Sequence, residues 1–355
     1  MIRRLTMSDE NFPPRYPARL PGTIWGITAF FNPARFASKR PNFRLFRESL
    51  RPQGLPLLAV ELVHDDAPFE LDRSDAEILV QRRGGAVLWQ KERLLNIALE
   101  HVPADCDKVV CLDADVLFLN PNWVADTAAL LEQYAFVQPF SLVLHLPSDC
   151  MSLADCGESA ARAGPGMAYC WSQRGARLRG SPGYAIAARR RLLEDHGVYD
   201  RMIVGGGDLV LLSAAMGIDP GDLPGVNTSP ADLIADAREW SRRLFAATHG
   251  SVFYTEGTLL HLWHGRIRDR RYRERIRLLD SFNVHEDIRL DGQRLWSWSS
   301  DKRALHEGIR RYFLRRNEDG ERRSSWQKRW ILSGKTAFSL LNPAHWARWR
   351  GWRRG

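Results

Sequence analysis

At 355 residues and 44% hydrophobic content, the chain is long enough to bury a large core, and its composition excludes a disordered or fibrous protein. Its five cysteines are odd in number with no C-x-x-C pair, which argues against a disulfide framework or structural zinc site, and no apolar run approaches the ~20 residues that span a bilayer. The net charge of +9 is localised: residues 321–355 carry nine Lys/Arg against one Glu, so +8 of it lies there and the rest of the chain is nearly neutral.

Taken in order, residues 1–20 are polar and proline-rich and read as an unstructured lead-in. Met1-Ile2-Arg3-Arg4 has no apolar segment behind it, so no secretory signal is expected. Residues 23–31 read as a first strand closed by Asn32-Pro33, residues 42–50 as a helix, 55–63 as a second strand and 89–101 as a helix with Leu94, Leu95, Ala98 and Leu99 on its apolar side. Residues 109–112 form a central strand, and residues 121–132 a helix with Asn120 as cap and Pro121 at its first position. This β-α-β order predicts an α/β fold with a mainly parallel sheet flanked by helices. Residues 141–182, rich in Gly, Pro, Ser and Cys, read as a long functional loop. Residues 187–196 and 208–216 read as helices stopped by Gly197 and Gly217, residues 258–263 as a strand, and 268–282 and 302–314 as basic amphipathic helices.

Asp113-Ala114-Asp115 ends the central apolar strand. In an extended segment the side chains at i and i+2 point the same way, so both carboxylates would face one side at the carboxyl end of a strand, where open α/β sheets bind ligands. Paired hard oxygens there suit Mg²⁺ or Mn²⁺ carrying a diphosphate; the plain alternative is a solvated turn. Asp105-Cys106-Asp107 repeats the pattern after Pro103-Ala104, in what reads as a solvated turn, and serves as an internal control. Downstream, Gly205-Gly206-Gly207-Asp208 would let backbone approach a ligand closely, or serve as a flexible turn with Asp208 capping the next helix. His261 and His264 close the strand before Gly265. They would diverge in a regular strand, but a bend would bring both imidazoles to one point, as metal ligands such as Mn²⁺ require.

Asp113-x-Asp115, Gly205-Gly206-Gly207-Asp208 and His261-x-x-His264, in that order, resemble metal-dependent glycosyltransferases of the GT-A fold over about residues 22–283. The resemblance is to the branch of the β-1,4-galactosyltransferases and polypeptide N-acetylgalactosaminyltransferases. It implies Asp115 as a direct metal ligand, Asp113 on the metal or the donor ribose, and His264 completing the metal shell. His261 stands where the galactosyltransferases have Met, so it could add a ligand. Gly206 and Gly207 would approach the donor, and Asp208 would stand near the acceptor, taking its hydroxyl proton if the configuration inverts, or orienting the acceptor or stabilising the oxocarbenium-like transition state if it is retained. Trp89-Gln90-Lys91-Glu92-Arg93 is similar to a basic helix that touches the donor in related enzymes, which implies Arg93 as a donor contact, with a structural salt bridge as the alternative. No Trp precedes the triple glycine, and one acid stands where relatives often have two.

The implied activity is transfer of a sugar, of hexosyltransferase type, from a nucleotide sugar, taken as a UDP-sugar, to a glycan, lipid-linked or other hydroxyl acceptor in bacterial-type glycan or glycolipid synthesis. The alternatives are a sugar-phosphate nucleotidyltransferase, against which the glycine-free Ala29-Phe30-Phe31-Asn32-Pro33 counts, and a non-catalytic glycan- or membrane-binding protein. The expected organisation is a lead-in (1–20), a GT-A domain (21–316) and a basic, Trp-rich tail (317–355). Five Trp interleaved with Arg in residues 321–355 suit an anionic bilayer surface; a packed helix and nucleic acid are the rival readings, the last the least favoured. The expected location is cytoplasmic, peripheral on the inner membrane face if that segment engages it.

Overall fold

The computed structural model describes residues 12–320 except 149, 153–154, 156–161, 174–178 and 273. The expectations for the tail segment 321–355 therefore lie outside the described residues. The chain alternates strands and helices: β1 (Thr23–Phe31), α1 (Lys39–Leu50), β2 (Leu57–Val63), β3 (Ile78–Arg83), α2 (Lys91–Leu99), β4 (Cys106–Leu112), β5 (Val116–Phe118), α3 (Trp123–Leu131), β6 (Phe136–Gln138), β7 (Leu142–His145) and β8 (Arg162–Pro165). There follow α4 (Met167–Ser172), β9 (Ala185–Arg189), α5 (Arg190–His196), α6 (Gly207–Met216), α7 (Ala231–Thr248), β10 (Val252–Tyr254), β11 (Thr258–His261), β12 (Ile288–Leu290), β13 (Trp296–Trp298) and α8 (Arg303–Arg315).

The main sheet runs β10-β6-β9-β4-β1-β2-β3. β1 pairs in parallel with β2 and β4, β2 with β3 and β10 with β6, while β9 is antiparallel to both β4 and β6. The expected α/β class, a mainly parallel sheet flanked by helices, is the one the chain adopts. Alternate residues of one strand feed two cores: Val109 and Cys111 of β4 join one, Val110 and Leu112 the other. With both faces covered, these strands read as continuous apolar runs, and all seven residues of β2 are buried. Leu94, Leu95 and Ala98 of α2 and the apolar residues of α6 and α7 cover one face, and Phe43, Phe46, Trp123 and Leu131 of α1 and α3 the other. Each such fully buried large side chain contributes about 1.5–3 kcal/mol.

A second sheet, β5-β11-β7-β8, stands at the carboxyl end of β4. β11 is antiparallel to β5, with His261 opposite Val116, and parallel to β7, with His261 beside His145. This pairing positions the site. Asp115 immediately precedes β5, its carbonyl accepts from the Leu262 N–H at 2.8 Å, and the metal-ligand candidates thereby share one corner.

Several expectations are corrected. The segment 187–196 is not one helix: Ala185–Arg189 is a strand inside the main sheet and only Arg190–His196 is helical. Its Ala/Arg/Leu composition favours helix, but the slot between β4 and β6 overrides that preference. Residues 268–282 form two short 3₁₀ turns, Ile267–Arg270 and Arg275–Leu279, separated by Arg271 at φ +45°. The stretch 141–182 contains β7, β8 and α4 rather than one irregular loop. The helix expected at 121 starts at Trp123 with Asn122 as cap. Residues 12–20 are not loose, because the Tyr16 and Ala18 N–H groups donate to Gln133 and Glu132 at 2.8 Å. At the other end, Glu318 and Asp319, assigned to the tail by sequence, are buried against the body, with Asp319 accepting from the Ser38 N–H at 2.9 Å. Among the described residues no helix is long and apolar enough to cross a membrane.

Candidate active site

A cavity of about 490 Å³ opens where β1 and β4 end, within the usual size of small-ligand pockets. Its walls include Asp113, Asp115, Gly206, Asp208, His261 and His264. The structure thus gathers most of the residues singled out in the sequence.

Ala114-Asp115 forms a turn between β4 and β5 rather than continuing as extended strand, and the two aspartates meet different partners. Asp115 joins His261 and His264 in a group whose donor atoms all lie within 4.8 Å of one another. His264 Nε2 is 3.2 Å from Asp115 Oδ2, His261 Nε2 is 3.7 Å from Asp115 Oδ1, and the two Nε2 atoms are 3.1 Å apart. The bend after β11 produces this convergence. Burial and the nearby Arg270 guanidinium push His264 down to about 3 and hold His261 well below the usual imidazole range, so both rings are neutral at neutral pH. Asp115 Oδ1 is buried without a hydrogen-bond partner. One carboxylate oxygen left unpaired beside two imidazoles is a donor set that fits Mn²⁺ or a similar cation. Arg270 donates to His264 Nε2 at 2.8 Å. Behind His264, Glu318 Oε2 lies 3.7 Å from Nδ1. Burial works to raise the Glu318 carboxyl, but Lys39 and Arg316 outweigh it and hold it well below the usual carboxylate range.

Asp113 lies outside the three-donor group and accepts instead from Lys91 Nζ at 3.0 Å. Lys91 also stands 3.8 Å from Asp208. Burial opposes its charge, yet Asp113 and Asp208 hold the ammonium well above its ordinary range. Burial, aided by Asp115 and Asp208 and opposed by Lys91, raises Asp113. Asp208 occupies the first turn of α6, where a carboxylate is favoured by the helix dipole, and accepts from the Leu209 N–H at 2.9 Å. The cap residue itself is Gly206, at φ +115°, a conformation that L side chains rarely adopt. Gly207 turns away from the cavity and packs on Glu92; a Cβ there would lie 2.6 Å from Glu92 Cδ.

Arg93 is not at the cavity. It pairs with Asp200 at 3.1 Å and approaches Glu100 at 3.9 Å, so the salt-bridge alternative describes it. Two residues separate about 200° around a helix, so the face that carries Lys91 into the site carries Arg93 out of it. Lys91, Tyr184, Arg270, Arg275, Arg316 and Glu318 also line the cavity and were not singled out in the sequence. Lys91 was within reach, because it opens α2 and a helix start near a strand end faces the ligand side.

Glu92, 2% exposed with Oε1 unpartnered, sits behind this cluster. Burial, reinforced by Asp208 and opposed by Lys91, raises its carboxyl to about 7. A carboxyl raised in the folded state binds more protons folded than unfolded between its two pKa values, so its stabilising contribution is complete at low pH and lost as pH rises to about 7. The shift corresponds to about 3 kcal/mol. Glu92→Gln should therefore match the parent near pH 4.5 and be more stable by about that amount at pH 8, read from urea melts at both pH values. A difference that shrinks with rising pH would contradict the assignment.

No family model matches the sequence, and no curated protein matches it. Among solved structures, glucosyl-3-phosphoglycerate synthase from Mycobacterium tuberculosis, in complex with Mn²⁺, UDP and glucosyl-3-phosphoglycerate, is similar over 73% of this chain and 78% of its own, at 14% identity and TM-score 0.41. TarS 1–349 from S. aureus is similar over 89% and 76%, at 12% identity and TM-score 0.38. The same TarS fragment in complex with UDP-GlcNAc is similar over 53% and 51%, at 12% identity and TM-score 0.33. None of these three reaches a TM-score of 0.5, and the reading of the site rests on its own geometry.

Proposed function

We propose that this protein is a metal-dependent glycosyltransferase that moves a sugar from a nucleotide-sugar donor, a UDP-sugar in our reading, to an acceptor hydroxyl. The observation that carries the reading is the Asp115–His261–His264 donor group in the same cavity as Asp208, at the carboxyl ends of parallel strands. Asp115, His261 and His264 would hold Mn²⁺ or Mg²⁺, which when bound supplies Lewis-acid stabilisation to a departing diphosphate. Arg270, Arg275 and Lys39 line the same cavity and give it the positive charge that a diphosphate requires. Asp208, half-buried and beside Lys91, would take the proton from an acceptor hydroxyl. Lys91, 3.0 Å from Asp113 and 3.8 Å from Asp208, sets one positive charge between the two carboxylates. Trp89 and Phe313, stacked with ring centroids 6.3 Å apart, give the cavity an apolar wall.

Thermal melts with nucleoside diphosphates test the reading. UDP with Mn²⁺ should raise the melting temperature where either alone does little, since a ligand at a hundredfold excess over its Kd stabilises by about 2.7 kcal/mol. Undiminished stabilisation by UDP in EDTA, or none with any nucleoside diphosphate and Mn²⁺, would sink the proposal. Release of pyrophosphate from a nucleoside triphosphate and a sugar phosphate would point to the nucleotidyltransferase instead.

A further inference from the structure

His145 closes β7, and the parallel pairing of β7 with β11 sets it beside His261. The two rings meet through the same atom type: His145 Nδ1 is 3.1 Å from His261 Nδ1, with the rings nearly perpendicular. On its far side, His145 Nε2 is 3.3 Å from the Tyr184 hydroxyl. Tyr184 is itself held in a demanding conformation, at φ +73°, directly beside the site, where the Asp113 N–H donates to its carbonyl at 2.8 Å.

A neutral imidazole carries one N–H and one lone pair. Two facing Nδ1 atoms can bond only if one is protonated and the other is not. His261 points Nε2 at Asp115 and His264, so in its ligand role that nitrogen must offer a lone pair and Nδ1 must carry the proton. His145 Nδ1 must then accept, which places the His145 proton on Nε2, where the Tyr184 oxygen can accept it. We infer that His145 is a positioning residue that fixes His261 in the tautomer able to hold a divalent cation through Nε2. The inference rests on the metal reading above. A metal-ligating histidine generally needs such a partner for its second ring nitrogen, and loss of the partner typically costs 10–100-fold in metal affinity. No ligand role is assigned to His145 itself: it lies outside the three-donor group, and its ring faces His261 and Tyr184.

The test is Mn²⁺ binding to the full-length protein, followed by electron paramagnetic resonance of the free ion, with melts in EDTA to establish folding. His145→Asn puts a carbonyl oxygen where Nδ1 was and keeps the acceptor; His145→Phe keeps the ring and removes it. His145→Asn should bind Mn²⁺ within a few-fold of the parent and His145→Phe should bind it 10–100-fold more weakly. If His145→Phe does not fold, Tyr184→Phe, which deprives the His145 Nε2–H of its acceptor, should still weaken Mn²⁺ binding in the same direction. Parent-like affinity in both His145→Phe and Tyr184→Phe would overturn the inference and leave the metal site standing. Equal losses in His145→Asn and His145→Phe would also overturn it, assigning the position to packing. A parent protein that binds no Mn²⁺ would overturn the metal reading and this inference with it.

Discussion

Asp115→Ala should abolish Mn²⁺-dependent nucleotide binding and reduce turnover by about 10³-fold or more while leaving the fold intact. Asp115 supplies the only negative charge among the three clustered donors, and its Oδ1 has no hydrogen-bond partner that the substitution would orphan. Removing it leaves two neutral imidazoles to hold a dication, and the several kcal/mol that a bound metal contributes to a leaving diphosphate translate to about tenfold in rate per 1.4 kcal/mol. Asp105→Ala is the matched control. Asp105 precedes β4 at the opposite end of the strand from Asp113, and its exposed side chain meets Thr23 Oγ1 at 3.3 Å. This variant should keep both metal binding and turnover. Isothermal titration with Mn²⁺ and UDP, alongside steady-state assays, decides the matter; equal losses in the two variants, or full parent activity in EDTA, would remove Asp115 from the metal site.

Asp208→Asn should lower kcat by about 10²–10⁴-fold with the Kd for nucleotide changed by no more than about twofold, the signature of a group that acts in proton transfer rather than in donor binding. Asparagine retains the oxygen that accepts from the Leu209 N–H, so the first turn of α6 should survive and the melting temperature should stay close to that of the parent. What is lost is basicity and the charge facing Lys91 at 3.8 Å. A kcat near that of the parent would leave Asp208 with only its favourable place at a helix N-terminus.

Much of the sheet was legible because its strands are buried on both faces. β1, β2 and β4 appear in the sequence as apolar runs and fall within a few residues of their expected bounds. The site was legible where chemistry-bearing residues stand at strand or helix ends: Asp115, Asp208, His261 and His264 all reach one cavity. Residues recruited through pairing between distant strands left little trace. His145 closes the short apolar run Leu142–Leu144 inside a stretch read as one loop, and its place beside His261 follows only from the β7–β11 register. Arg270 and Glu318 follow or close irregular segments whose course local periodicity does not encode. The 18-residue α7, with Leu233, Ala237, Trp240, Ser241 and Leu244 buried on one face, carries a helical pattern that the sequence reading passed over, and β9 shows the opposite case, a helix-favouring composition held extended by its neighbours.

The bond from Arg270 to His264 Nε2 has a thermodynamic consequence. An sp² ring nitrogen has a single lone pair, which a guanidinium proton and a metal ion cannot share. Loading a cation here would therefore be an exchange, a fixed internal monocation giving way to a mobile dication. The affinity measured for the ion would be a difference between two competing occupants of one nitrogen, smaller than the sum of its ligand bonds by whatever the tethered arginine forfeits on leaving.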